Sequence, residues 1–438
     1  MRTGERAAPG HGLRRPTALV SWAVAWAALL GPAVAKSANG DLPIVRAFPS
    51  FARVPRVDLV PKPAPLVPLA EVERELRSEL GVPTEGGPWL LIKHDDVSRE
   101  LVGGNKGRKL EYLLGEARAR HARAVVTSGR LGTNHGLASV AAASRFGIPV
   151  TLVLGPQPIT EAIRRKLLAM RAAGAEIRFH STLVGWALDV ALYKLTALVF
   201  PGELYYIPPS GTSDVGSIGY ANAFFELLEQ TGDEGLPDEI VVAASTGGTA
   251  AGLLAGICLA GRWDQVRVRA VGVTEEWLQS EWLLRSEARE AFRAIRDALG
   301  PEDRARVEEC DFMGSRTALT YEHGYLAPGY GHTDARLDGV MRRLRDAEGV
   351  ELDPTFTAKA MRHFLDRARE RLLAGDTHRR LLFWNTYAPV DVEAAIRAHR
   401  WKDPDAPWRD LPANMQALFD RGGERRPADA AVPAVIGR

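Results

Sequence analysis

Three stretches of this chain combine residue types that can do chemistry together. The first is Leu101-Val102-Gly103-Gly104-Asn105-Lys106-Gly107-Arg108-Lys109-Leu110-Glu111-Tyr112. Its paired glycines free the backbone for a close approach or a positive φ, and a helical pattern follows the lysine. An amine fixed at the mouth of a helix, away from bulk water, has its neutral form favoured, which is what a Schiff-base lysine needs. A solvated basic turn would use the same residues, and this stretch alone leaves both readings open. It is not a P-loop, which has Gly, four residues, then Gly-Lys-Ser/Thr. The second stretch is Thr127-Ser128-Gly129-Arg130-Leu131-Gly132-Thr133-Asn134-His135. It falls between a strand's carboxyl end and a helix's N-terminus, where parallel sheets bind ligands and free N–H groups attract carboxylates. Taken alone, Asn134 reads as a helix cap and His135 as a helix-surface residue. The third is Ser245-Thr246-Gly247-Gly248-Thr249. A strand, a glycine turn and a helix start aim several N–H groups at one anion, and threonine hydroxyls add to them. A plain tight turn is the other reading. The pattern is not Gly-x-Gly-x-x-Gly, so it does not support a dinucleotide site.

The elements around these stretches alternate. Trp89 to Lys93 and Ala122 to Ser128 read as strands, Asn134 to Phe146 as a helix and Ile148 to Leu154 as a strand. A helix at 159–173, a strand at 176–179 and a helix near 187–198 continue the pattern. Helix 220–230, strand 239–244, helix 250–259, strand 266–273 and a last strand at 380–386 follow. Strand, helix, strand with short links makes right-handed βαβ units in a parallel sheet, so the fold class is α/β. Before these, the Pro-rich segment from 36 to 68 reads as an extended arm, with a short helix over 69–80. Residues 275–315 read as charged and helical, covering a site or an interface.

At 438 residues and 46% hydrophobic, the chain can hold two domains and a large core. A net charge of +2 gives no electrostatic support for a nucleic-acid role. Two cysteines, Cys258 and Cys310, cannot build a disulfide framework or a cysteine zinc site, and no metal is expected. Cys258, in an apolar helical run, reads as a core residue. Residues 1–35 place Arg14-Arg15 before an apolar run and end in Ala33-Val34-Ala35, the layout of a cleavable signal peptide, with a twin-arginine route fitting the paired arginines. The run is too short and alanine-rich for a membrane span. The expectation is a periplasmic or secreted protein, with a cytoplasmic one as the alternative. Residues 421–438 are Gly/Arg/Pro/Ala-rich and read as a disordered tail.

The Gly103–Glu111 run resembles the lysine segment of the pyridoxal-phosphate enzymes that include D-cysteine desulfhydrase and 1-aminocyclopropane-1-carboxylate deaminase. The resemblance extends over roughly residues 60–395. It implies a two-domain tryptophan synthase β-like fold (PLP fold type II), with parallel sheets flanked by helices and the cofactor in the cleft. On that basis residues 36–111 and 211–420 form the large domain and 112–210 the small one. The resemblance makes Lys106, not Lys109, the cofactor carrier, and Thr246, Gly247, Gly248 and Thr249 the phosphate grip. Asn134 would meet the ring oxygen and Thr133 the substrate carboxylate. Tyr330, in Pro328-Gly329-Tyr330-Gly331, would be an acid/base or stacking partner, and Thr386 would face the pyridine nitrogen. A neutral hydroxyl there biases against racemisation and transamination. The Leu352-to-Ala360 run matches a family segment that reads as structural. Pro208 to Ser213 resembles a crossover that touches the substrate side. Departures stand at Arg130, in place of a glycine and able to take an extra carboxylate, at Thr133, in place of serine, and at Asn385, Tyr387 and Ala388. The implied reaction converts a small amino acid, similar to D-cysteine or 1-aminocyclopropane-1-carboxylate, to a 2-oxo acid and ammonia through a Lys106 Schiff base. The alternatives are a β-replacement enzyme and a cofactor-binding protein with degenerate catalysis. A homodimer is the family expectation.

Overall fold

The computed structural model describes residues 40–83, 88–97, 101–232, 235–274, 279–314, 318–329 and 331–419. The 1–35 segment, Tyr330 and the 421–438 tail lie outside the described residues. Among the described residues, ten strands fall into two sheets. They are β1 (Leu66–Pro68), β2 (Leu90–His94), β3 (Ala124–Arg130), β4 (Val150–Gly155), β5 (Glu176–Phe179), β6 (Leu204–Ile207), β7 (Glu239–Ala244), β8 (Arg267–Gly272), β9 (Leu319–Glu322) and β10 (Leu381–Asn385). One sheet has the order β1-β2-β10-β7-β8-β9 and the other β5-β4-β3-β6. Every pairing is parallel except that of β1 with β2.

The burial pattern follows from that topology. Ile240, Val241 and Val242 are all fully buried, because helices cover both faces of a parallel sheet and remove the in-out alternation. On one face of the six-stranded sheet, Trp89, Leu90, Ile92, Val241, Leu381 and Phe383 pack with Leu76, Leu344, Phe364 and Leu365 from helices Ala70–Leu80, Ala335–Glu348 and Thr357–Leu373. Each such side chain contributes about 1.5–3 kcal/mol by leaving water. Helices Asn105–Ala119, Asp214–Thr231, Gly248–Leu259 and Glu281–Ala298 pack against one another in turn.

The arm departs from its sequence reading. Pro43–Ala47 is helical and Pro49–Arg53 forms a 3₁₀ turn. Ile44, Val45, Phe48 and Phe51 are buried, so their apolar area outweighs the extended preference of the prolines. Phe48 meets Phe225 edge-on at 5.8 Å. Two helices start earlier than their apolar spacing suggests, because hydroxyl caps set their ends. Thr182 accepts from the Gly185 amide and Ser213 from the Gly216 amide. The charged 275–315 stretch is helical over Glu281–Ala298 and Pro301–Ala305. Beyond it, Cys310 is bonded to Cys258 with Cα atoms 6.0 Å apart. Cys258 is buried as expected, but it is also a cross-link, which a count of two cysteines could not reveal.

Candidate active site

Lys106 is the second residue of the Asn105–Ala119 helix, and Gly104 before it has φ 69°. A Cβ at Gly104 would stand 2.5 Å from the Thr386 carbonyl oxygen, so only glycine lets the two segments touch. The Asn105 amide donates to that oxygen at 3.1 Å. Behind this turn lies a buried charge network. Arg108 donates to Asp95 at 2.7 Å and to Glu226 at 2.9 Å. Lys93 donates to Glu226 at 2.6 Å, and Tyr220 and Trp384 both donate to Asp95, at 2.5 and 2.8 Å. Glu226 is held down at about 2 despite its burial, because Arg108 and Lys93 surround it. The network ties β2, β10, the Lys106 helix and helix Asp214–Thr231 into one block.

The lysine segment and the glycine turn meet. Asn105 Nδ2 donates to Thr249 Oγ1 at 3.0 Å, and Lys106 Nζ donates to Asn105 Oδ1 at 2.8 Å. Gly247 has φ 83° and precedes helix Gly248–Leu259, leaving the first helical amides unpaired within the helix. A Cβ at Gly248 would lie 2.7 Å from Thr212 Oγ1 and 3.0 Å from Lys109 Nζ. Thr212 and Thr246 hydroxyls are 2.7 Å apart. The turn is therefore a small cradle of amides, two hydroxyls and the Lys109 amine. Thr212 places the Pro208–Ser213 cluster beside this turn. Gln279 and Glu287 close over Gly247, and a Cβ there would stand 2.5 Å from Glu287 Oε2. Burial pushes the Glu287 carboxyl up to about 7, with Lys109 opposing the rise.

Desolvation also sets the amines. Lys106 is pulled from its ordinary 10.5 to about 8, with Asp353 alone resisting. Lys109 falls well below its ordinary value by burial and by the charge of Lys106, and His135 is held neutral by burial and by both lysines. His135 is thus a buried ring, not a helix-surface residue. Its Nε2 lies 3.1 Å from Thr127 Oγ1.

Thr133, not Asn134, caps helix Asn134–Ser144, accepting from the Gly136 amide at 3.1 Å. Asn134 Oδ1 instead accepts from Lys166 Nζ at 2.5 Å. Burial lowers the Lys166 pKa, against the charge of Asp353. The Arg130 guanidinium is committed elsewhere: it donates to the Pro156 carbonyl at 2.8 Å and lies 5.9 Å from the Trp186 ring centroid. In the Leu352–Ala360 run, Asp353 accepts from the amides of Thr355, Phe356 and Thr357. Lys359 donates to the carbonyls of Leu326 and Gly329 at 2.8 and 2.5 Å. Asp353 is thus both a backbone lock and the counter-charge of Lys106 and Lys166.

The sequence reading did not single out Lys109, Lys166, Asp353 or Glu287 for a site, and placed Thr212 only within the Pro208–Ser213 cluster. Only Lys109 carried a local signal, since a residue three positions after Lys106 shares its helix face.

A glycine turn at a helix start lies next to a desolvated lysine, and the chain's relatives are known. Residues 57–384 match the family described as "Pyridoxal-phosphate dependent enzyme". The chain belongs to that family. A Pyrococcus horikoshii protein with the provisional name 1-aminocyclopropane-1-carboxylate deaminase is 30% identical over 345 residues, 77% of this chain and 93% of its own length. The nocardicin C-9' epimerase of Nocardia uniformis subsp. tsuyamanensis is 34% identical over 68% of this chain and 85% of its own. A D-cysteine desulfhydrase of Klebsiella pneumoniae subsp. pneumoniae is 28% identical over 72% and 89%. A solved structure of an ACC deaminase homologue superposes with a TM-score of 0.61 at 29% identity, covering 78% of this chain and 94% of that one. The fold is the α/β fold of those enzymes, with parallel sheets flanked by helices. The protein is a pyridoxal-phosphate-dependent enzyme of the 1-aminocyclopropane-1-carboxylate deaminase and D-cysteine desulfhydrase type.

Proposed function

We propose that the enzyme is a lyase or deaminase that converts a small amino acid, of the D-cysteine or 1-aminocyclopropane-1-carboxylate kind, to a 2-oxo acid and ammonia. The observation that carries this reading is the junction at Asn105. That one side chain links the desolvated amine of Lys106 to the Thr249 hydroxyl of the glycine turn. Lys106 would hold the cofactor, and the Thr246–Thr249 turn with Lys109 and Thr212 would hold its phosphate. Asn134 and Thr386 would meet the ring. When bound, pyridoxal phosphate draws electron density from the substrate's α-carbon and so eases loss of a proton or a substituent nearby.

The chain's own groups supply the rest. With its pKa near 8, Lys106 is neutral often enough at neutral pH to take a proton from the substrate and later return it. The Thr133 hydroxyl oxygen accepts from the Gly136 amide, which leaves its O–H to donate to the substrate carboxylate. Tyr330 is the proposed second acid/base. A neutral hydroxyl at Thr386 favours release of a β-substituent or ring opening over long-lived charge at the α-carbon.

The epimerase relative supports a second reading, in which Lys106 and a second acid exchange the α-proton from opposite faces and the amino group is kept. Incubating the enzyme with D-cysteine, L-cysteine and 1-aminocyclopropane-1-carboxylate separates the possibilities. A 2-oxo acid with ammonia supports the proposal. Loss of optical activity without 2-oxo acid favours epimerisation. Consumption of an added thiol nucleophile favours β-replacement, and no turnover with cofactor bound favours degenerate catalysis.

Export is the reading that fits two independent features. One is the charged, apolar, small-residue layout of residues 1–35. The other is the Cys258–Cys310 bond, since disulfides persist in oxidising compartments. Recovery of the intact N-terminus on cytoplasmic protein would contradict it.

A further inference from the structure

The loop that carries Thr133 and Asn134 is held from behind by helix Glu161–Ala172 and the turn before it. Gln157 Oε1 accepts from the Gly132 amide at 3.0 Å. A Cβ on Gly132 would stand 3.0 Å from Ile163, so the helix packs directly on the loop. Thr160 caps the helix, accepting from the Ile163 amide at 3.3 Å, and this fixes where Lys166 stands. Lys166 Nζ donates to the Gly132 carbonyl at 3.4 Å and to Asn134 Oδ1 at 2.5 Å. Both hydrogen bonds that Lys166 makes among the described residues thus go to this loop. A lysine ammonium offers donors and no acceptor, so only the oxygen of the Asn134 amide can face it. The Nδ2 group lies on the other side of the planar amide, and among the described residues it donates to nothing.

We infer that Lys166 is a positioning residue for the cofactor: it locks the Asn134 amide with Nδ2 turned toward the cofactor's ring oxygen, and through that amide it lowers the basicity of that oxygen. The inference rests on the assignment of Lys106 and Asn134 to the cofactor proposed above. Asn134 is the first residue of helix Asn134–Ser144, and Thr133 caps that helix, so the backbone under the side chain is set. What the backbone leaves open is rotation of the amide. A free amide could turn its own oxygen toward the ring oxygen, acceptor against acceptor. With Lys166 in place that turn would break a charge-assisted hydrogen bond, which is stronger than a neutral one. A donor held on the ring oxygen favours its anionic form, and a cation behind the donor favours it further. Removing Lys166 should therefore raise the pH at which that oxygen gains its proton.

The test is a pH titration of the visible absorption band of the cofactor-loaded full chain, without substrate. Lys166→Met keeps the length of the stem and removes the donor and the charge. Its midpoint is expected on the order of one pH unit above that of the wild type. Lys166→Arg, which keeps a charged donor, should stay near the wild type. Lys166→Gln, a second variant that keeps an N–H without the charge, should fall between them. Asn134→Ala should raise the midpoint by itself, and adding Lys166→Met to it should move the midpoint no further, because the lysine acts through the amide. A merely structural lysine would lower the urea midpoint of Lys166→Met and leave the band's titration where it was. A titration unmoved in Lys166→Met, or a shift that persists in full in the Asn134→Ala background, would overturn the inference and leave the cofactor assignment standing. A wild type without a visible band, a band that survives Lys106→Ala, or an Asn134→Ala midpoint equal to that of the wild type would overturn the inference together with the assignment it rests on.

Discussion

Removing the charge of Asp353 probes how burial and charge share control of Lys106. An ordinary lysine with pKa 10.5 is roughly 0.03% neutral at pH 7, whereas one at about 8 is about 10% neutral, a gain of roughly 300-fold. Burial drives the shift down and Asp353 opposes it. Asp353→Asn keeps one of the two acceptor oxygens, for the Thr355 and Phe356 amides, and removes the negative charge. It should therefore move the Lys106 pKa further below 8, and that of Lys166 in the same direction, because Asp353 opposes its fall too. The assay is competitive acylation of apo-enzyme amines between about pH 6 and 10, with each lysine peptide quantified by mass spectrometry. Reactivity of Lys106 should rise with pH and level off above about 8. A Lys106 midpoint near 10.5, or an upward move in Asp353→Asn, would refute the reasoning.

Three further outcomes follow from the same geometry. Glu226→Ala leaves Lys93 and Arg108 buried without their shared carboxylate, and should cost about 3–5 kcal/mol in urea unfolding, with a stability close to wild type counting against the network. Gly248→Ala puts a methyl against Thr212 and Lys109, and should weaken retention of the cofactor on dialysis by about tenfold or more; unchanged retention would mean the cradle is not the phosphate site. Cys258→Ser opens a loop of 52 residues and should lower stability by about 2–4 kcal/mol, an effect that a reducing agent should reproduce on the wild type and not on the variant.

The order of elements and the stretches that form the candidate site were legible in the sequence because both rest on local patterns. A buried apolar run, a glycine turn and an alanine-rich helix specify β7, the 245–249 turn and the Gly248–Leu259 helix without reference to the rest of the chain. Lys106 was legible because its helix start is local as well. What stayed hidden depends on distance along the chain. Asp353 lies in a run that reads as structural until the fold brings its charge to Lys106 and Lys166. The Cys258–Cys310 bond, Glu287 over Gly247 and the Thr212–Thr246 hydroxyl pair likewise need segments 34 to 52 residues apart. Arg130 looked available for a substrate carboxylate, yet the Pro156 carbonyl and Trp186 already engage it. The proline-rich arm misled for a different reason: proline disfavours helix interiors but suits first turns, and Pro43 and Pro49 each begin one.

The most direct test of the central claim is to treat the cofactor-loaded enzyme with borohydride, which fixes the cofactor to whichever amine bears it, and to sequence the labelled peptide. The label should sit on Lys106, and Lys106→Ala should lose both the label and the visible absorption band. A label on Lys109, or a visible band that survives in Lys106→Ala, would contradict the account.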